Sequence, residues 1–326
     1  MIIDFQHHYI PPALAERYGA RRGHKLVLME GGRPKFTLHD RVYDLEQQIQ
    51  DMAVAGMDLA VLSCPLGWDA PLEDCQRIND EYAKVQQAHG KYFAGLANVP
   101  VHEGKPALRE MERAILQLHL HGVTIMAQIQ RAPLDAPAFR DFFALAAELD
   151  IPIFVHPALM PQGYAHAEDY DLARIIGREL DLALAVTRVI AGGVLEAFPL
   201  LKLVIAHFGG GIAAIKERLN NKSYRFGTKL SRSFEEYFDL LYFDMAGFEG
   251  GAAALQCALT GIKPQRLVFA TDYPQDFTGV LTNTGKGLAQ IRDYVAAIRK
   301  LDLPADAKED MLGGTAARLL KLDSAV

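Results

Sequence analysis

Short apolar runs alternate along this chain with longer stretches whose apolar positions recur at helical spacing. Residues 2–5 (IIDF), 58–63 (DLAVLS), 92–97 (YFAGLA), 122–127 (GVTIMA), 151–156 (IPIFVH), 201–207 (LKLVIAH), 240–246 (LLYFDMA) and 266–271 (RLVFAT) read as strands. Between and after them, helical patterns cover 44–56, 72–90, 106–120, 137–149 and 170–197, a helix opened by the turn Gly209–Gly211, a stretch to about 260, and 286–300 and 306–321. Gly56 closes the first helix, and Pro137 suits the first turn of the fourth. Strict strand–helix alternation implies parallel strands. Eight such units predict a (β/α)8 TIM barrel, one domain over 1–326 with loop insertions at the catalytic face. An open doubly wound sheet is the alternative. Residues 18–43 show no periodicity and follow the first strand, which makes them a lid or substrate loop.

Composition narrows the function classes. The 326 residues are 50% hydrophobic, enough for a large core, and the net charge of -6 opposes a nucleic-acid partner, which needs a basic surface. Cys64, Cys75 and Cys257 are too widely spaced for a disulfide framework or zinc knuckle and read as reduced thiols of a cytoplasmic protein. The N-terminus lacks a signal-peptide pattern, and no apolar run approaches the roughly 20 residues that span a bilayer, so no membrane partner is expected.

Barrel enzymes keep their chemistry at the C-terminal ends of the strands. Here strand one ends in Gln6, His7 and His8, strand five in His156, strand six in His207, and strand eight is followed by Asp272. Barrel closure would gather them around one axis. Side chains alternate along a strand, so Asp4, Gln6 and His8 are expected on one face and His7 on the other. A single strand-end histidine is commonly a hydrogen-bonded structural residue. Four strand ends carrying such groups point to an active site. Three imidazoles and a carboxylate suit one divalent metal per chain: zinc, with manganese and iron as alternatives.

At these residues the chain resembles the amidohydrolase superfamily, in the branch of aminocarboxymuconate-semialdehyde decarboxylase and γ-resorcylate decarboxylase. The matching segments are IDFQHHYIPP (3–12), LDAPAFRDFFALAAELDIPIFVHP (134–157), VIAHFGGG (204–211) and FATDYP (269–274). The resemblance implies a metal held by His8, His156 and Asp272, with His207 as the catalytic histidine and Asp272 also able to carry protons. It implies a homodimer as well. In the usual Asp-x-His-x-His motif of the first strand both histidines bind metal. Gln6 stands here in the first place, and is a ligand, a hydrogen-bonding neighbour of the ligands, or a sign of lost metal.

The leading expectation is non-oxidative decarboxylation of a small aromatic or unsaturated carboxylic acid, with His207 or Asp272 delivering a proton to the carbon that bears the carboxylate. Arg41 is a cation for the substrate's anion. Trp68 and Phe208 are flanks for a flat ring, as are Tyr273 and Phe277 beside Asp272. The same residues serve a hydrolase of a lactone, amide or ester, or a hydratase. A non-enzymatic barrel with a decayed site is a third reading.

Overall fold

A computed structural model describes residues 1–247, 251–275 and 287–322. Eight parallel strands form the barrel: β1 (Ile3–His8), β2 (Leu59–Ser63), β3 (Phe93–Gly95, continued by Ala97–Asn98), β4 (Val123–Met126), β5 (Pro152–His156), β6 (Lys202–Ile205), β7 (Tyr242–Asp244) and β8 (Leu267–Val268). β1 pairs with β2 and β2 with β3. Ala97–Asn98 pairs with β4, and the ladder continues through β5, β6 and β7 to β8. Closure comes from the Phe5 and His8 N–H groups, which donate to the carbonyls of Phe269 and Tyr273 at 2.9 and 2.8 Å. The ring of pairs returns to β1, so the barrel expectation holds over the open sheet.

The strands are buried on both faces, as a barrel wall covered by helices requires. Phe5 and Phe154 meet edge to face in the core, with ring centroids 5.8 Å apart.

Three elements differ from their sequence patterns. The stretch 18–43 contains an antiparallel hairpin, Leu26–Glu30 against Arg33–Leu38. Its turn residues Gly31 and Gly32 both have positive φ, 56° and 78°. Two glycines between short extended runs are a hairpin signal, and Phe36 and Leu38 on its second strand are buried. The helix expected over 170–197 begins as a π-helical turn, Ala173–Gly177, becomes α-helical over Arg178–Ala191 and breaks at Gly192 and Gly193 before Val194–Ala197. The helix expected over 306–321 is likewise Ala305–Glu309, a π-turn Asp310–Gly314 and Thr315–Leu320. No helix among the described residues is long and apolar enough to cross a membrane.

Candidate active site

The C-terminal ends of β1, β5 and β8 bring three ligand types to one point. Nitrogens of His8 and His156 and an oxygen of Asp272 all lie within 4.8 Å of one another, and all three residues are buried. His8 Nε2 is 2.7 Å from Asp272 Oδ1, and Gln6 Nε2 donates to the same oxygen at 2.8 Å. Gln6 and His8 therefore do point inward together.

The strict alternation of β1 does not hold throughout. A register shift between Asp4 and His7 puts Asp4 on His7 rather than beside Gln6: Asp4 Oδ2 meets His7 Nδ1 at 2.8 Å and accepts the Thr271 hydroxyl at 2.7 Å. His7 stacks on Tyr273 with centroids 4.2 Å apart, and the Tyr273 hydroxyl donates to Asp51. Tyr273 is thus spent behind the site rather than beside a substrate. Phe277 lies outside the described residues.

Both imidazoles of the cluster have their rings fixed from behind, as metal-binding imidazoles require. His8 Nδ1 lies 3.0 Å from Ser63 Oγ at the end of β2, and His156 Nδ1 lies 2.8 Å from the Pro157 carbonyl. Trp68 stacks on His156 at 4.1 Å and donates its indole N–H to Thr124 at 2.9 Å. His156 Nε2 and Gln6 Oε1 are buried with no hydrogen-bond partner. A lone pair without a donor in a dry interior is costly, and a cation at the His8–His156–Asp272 point would satisfy that of His156 Nε2. Burial, with His8 next, holds the His156 imidazole well below its ordinary pKa and so in the neutral form a metal needs. Against burial, His8 and the neighbouring histidines hold Asp272 below the carboxylate range, ionised.

His207 follows β6 and is positioned separately. Its backbone N–H donates to Asp244 Oδ1 at 2.7 Å, from the end of β7. Its Nδ1 meets Glu179 Oε1 at 2.8 Å, from the first turn of the helix Arg178–Ala191. His207, Phe208 and Asp272 all have left-handed φ, 53°, 52° and 54°, a conformation that costs non-glycine residues on the order of 1 kcal/mol or more. A Cβ on Gly247 would lie 2.2 Å from His207 Cγ, so only glycine leaves room for the ring there.

Burial alone would lower the pKa of His207. The charge and hydrogen bond of Glu179, helped by Asp272 and Asp244, overcome this and raise it to about 10. The ring is therefore an imidazolium at neutral pH, with Nδ1–H donated to Glu179. Its Nε2 faces Gln6 Nε2 at 3.3 Å. Two protonated nitrogens repel, so a charged His207 forgoes this contact while Gln6 Nε2 keeps its bond to Asp272. Because its folded pKa lies above the ordinary 6.5, His207 contributes stability that is fully present below pH 6.5 and lost as pH rises through about 10. Glu179→Gln removes the main cause. In chelator-treated protein the pKa of His207, followed by NMR of the ring, should fall by about one to three pH units. An unmoved titration would mean that Glu179 does not hold the charge.

The structure gathers Gln6, His8, His156, His207 and Asp272 and does not gather Arg41. Arg41 Nε donates to Asp51 at 2.6 Å, beside the Tyr273 hydroxyl on the same carboxylate, because a buried carboxylate lay within its reach. Phe208 is buried next to His207. Phe36, on the hairpin, stands edge-on to His8 at 6.5 Å, so the loop insertion does cover the site. The pattern missed Ser63, Glu179 and Asp244. Ser63 and Asp244 end strands and were findable by the same rule as the ligands; Glu179, at a helix start, gave no such signal.

Residues 3–322 match the family model described as amidohydrolase. The chain belongs to the amidohydrolase family. It is 27% identical to a 2-amino-3-carboxymuconate-6-semialdehyde decarboxylase of Dictyostelium discoideum, covering 98% of this chain and 92% of that one. It is 24% identical to a gamma-resorcylate decarboxylase of Rhizobium radiobacter, over 73% and 79% of the two chains. The fold superposes with a TM-score of 0.80, at 21% identity and over 99% and 96% of the two chains, on a 5-carboxyvanillate decarboxylase of Novosphingobium aromaticivorans. That protein was crystallised with manganese and 4-hydroxy-3-methoxy-5-nitrobenzoic acid.

Proposed function

We propose that this amidohydrolase is a non-oxidative carboxy-lyase acting on a small aromatic or unsaturated carboxylic acid. One observation carries the reading: His207, bound through Nδ1 to Glu179 at 2.8 Å, lies one amide away from the carboxylate of the His8–His156–Asp272 cluster, since Gln6 Nε2 is 3.3 Å from His207 Nε2 and donates to Asp272 at 2.8 Å. The relatives named as decarboxylases support it, as does the structural neighbour that holds a metal and an aromatic acid together.

His8, His156 and Asp272 would hold a divalent cation, with Gln6 Oε1 as a neutral fourth donor. Zinc is the first choice from the imidazole ligands; manganese, present in the structural neighbour, and iron are the alternatives. When bound, it supplies positive charge that orients the acid's oxygens. Trp68, stacked on His156, would flank a flat ring, with Phe208 proposed as a second wall. His207 is the proton donor, because Asp272 is held ionised while the imidazolium keeps its proton at neutral pH. The Nε2 proton passes to the carbon that bears the carboxylate. The C–C bond then breaks, its electron pair returns to the ring or double bond, and carbon dioxide leaves. The neutral imidazole keeps its Nδ1 proton on Glu179, which leaves Nε2 as the atom that is reprotonated from solvent. The homodimer expected from the resemblance belongs to this proposal, and light scattering at twice the chain mass checks it. So does a cytoplasmic location, consistent with three free cysteines, two of them buried.

The competing hydrolase or hydratase would begin with a base that takes a proton from water. Ionised Asp272 could serve as that base while His207 stabilises the developing charge, so the same residues would carry either reaction. A panel of hydroxybenzoates assayed for carbon dioxide, run beside lactones, amides and esters, separates the two. Carbon dioxide from at least one acid is expected. Lactone or amide opening with no acid decarboxylated would contradict the proposal.

A further inference from the structure

Arg178 is a cation whose counter-charge is missing. Its Nε and Nη2 donate to the Leu159 carbonyl at 3.2 and 2.8 Å, and Nη2 also reaches the Lys35 carbonyl at 3.2 Å. Among the described residues no carboxylate forms an ion pair with it, and its Nη1 donates to none of them. Neighbouring arginines are paired: Arg174 with Asp171, and Arg188 with Asp135. Burial lowers the pKa of Arg178, and the charge that most supports it is Asp272, ahead of Glu179. The guanidinium feels the charge of the Asp272 carboxylate without a hydrogen bond or ion pair to it.

An arginine taken out of water normally recovers its solvation from a carboxylate, because its planar fork matches two oxygens at once. Backbone carbonyls satisfy single N–H groups but bring no full charge. Arg178 also sits one residue before Glu179, at the start of the helix that orients His207. Its contact with Lys35 ties it to the hairpin, where the next residue, Phe36, faces His8.

We propose that Arg178 is the residue that receives the substrate's carboxylate, supplying the anion contact that Arg41, engaged by Asp51, does not. The role rests on the reading of the substrate as a carboxylic acid. It also makes one side chain serve two contacts: the guanidinium that takes the anion is the one that holds the hairpin strand over the site.

The test is calorimetric binding of 2-hydroxybenzoate and of its uncharged amide to the wild-type protein, Arg178→Met and Arg178→Lys, as purified and again after chelation. Wild type should prefer the acid. Arg178→Met should weaken the acid by about 10- to 100-fold, the span expected for lost charge-assisted hydrogen bonds, and leave the amide nearly unchanged. Arg178→Lys, which keeps the charge and loses the fork, should fall between. Should Arg178→Met fail to fold, the lysine variant carries the same comparison. Equal loss of acid and amide would make Arg178 a hairpin latch only and overturn the proposal. So would unchanged acid binding, or a wild type that binds both alike. Wild type that prefers the acid but releases carbon dioxide from none would contradict the decarboxylase reading and leave the anchor standing.

Discussion

Replacing His207 with asparagine should lower kcat by about 10²- to 10⁴-fold, the usual worth of a positioned general acid, while metal content stays at the wild-type level. KM should change little, since the ring is asked to move a proton rather than to bind. Asparagine can still donate one N–H to Glu179, and Asp244 still receives the backbone N–H of residue 207, so the left-handed turn keeps its supports. The variant loses the imidazole that Glu179 holds beside Gln6 and the ligand cluster. The pH profile gives a second handle. Activity that needs the imidazolium falls as pH rises through the pKa of His207. In the metal-bound enzyme this lies between the ordinary imidazole value and about 10, because a nearby cation repels the charge. A kcat within tenfold of wild type would show that the proton comes from elsewhere.

His156→Ala should abolish metal binding and with it turnover. The substitution takes away one of the two proposed imidazole ligands and leaves His8, Asp272 and the weaker amide of Gln6, a set too poor to retain a divalent ion. Metal analysis of the purified protein reads the first effect and carbon dioxide release the second. A further consequence concerns metal-free wild-type protein. His156 is buried neutral, with a folded pKa well below 6.5, so the unfolded chain binds a proton there that the folded chain does not. Stability contributed by the neutral ring is present above pH 6.5 and is lost as pH falls below it. The Tm of the metal-free wild type should therefore drop more between pH 7 and pH 5 than that of His156→Ala. Retained metal in the variant would remove His156 from the ligand set.

The barrel was legible because its signal is repeated eight times, and errors at individual ends do not disturb the count. The cluster was legible for a related reason: His8, His156 and Asp272 sit at or just past strand ends, where closure of the barrel determines which residues meet. What escaped was set by contacts between elements distant in sequence. Glu179 reaches His207 across 28 positions from a helix start, and Arg178 owes its lack of a carboxylate to the packing of Leu159 and Lys35 around it. Arg41 had the right charge in the right loop, but a buried carboxylate, Asp51, lay closer. The bulge in β1 is a similar case. Alternation predicts Gln6 and His8 correctly, yet Asp4 turns to His7 and Thr271 because the extra residue resets the face.

Gln6 connects both halves of the site. As a neutral amide it adds no negative charge, so a divalent ion held by His8, His156 and Asp272 keeps a net positive charge toward an incoming acid. The same amide lies between Asp272 and His207 and presents its nitrogen to both.

The central claim is that a proton carried by this chain replaces a carboxyl group on carbon. It is tested most directly by incubating metal-replete protein in heavy water with a hydroxybenzoate labelled with carbon-13 in its carboxyl group, followed by NMR. The predicted result is label recovered only as carbon dioxide and bicarbonate, with one deuterium on the ring carbon that lost it. Label that stays on the organic product, while a lactone or amide is opened by the same preparation, would contradict it.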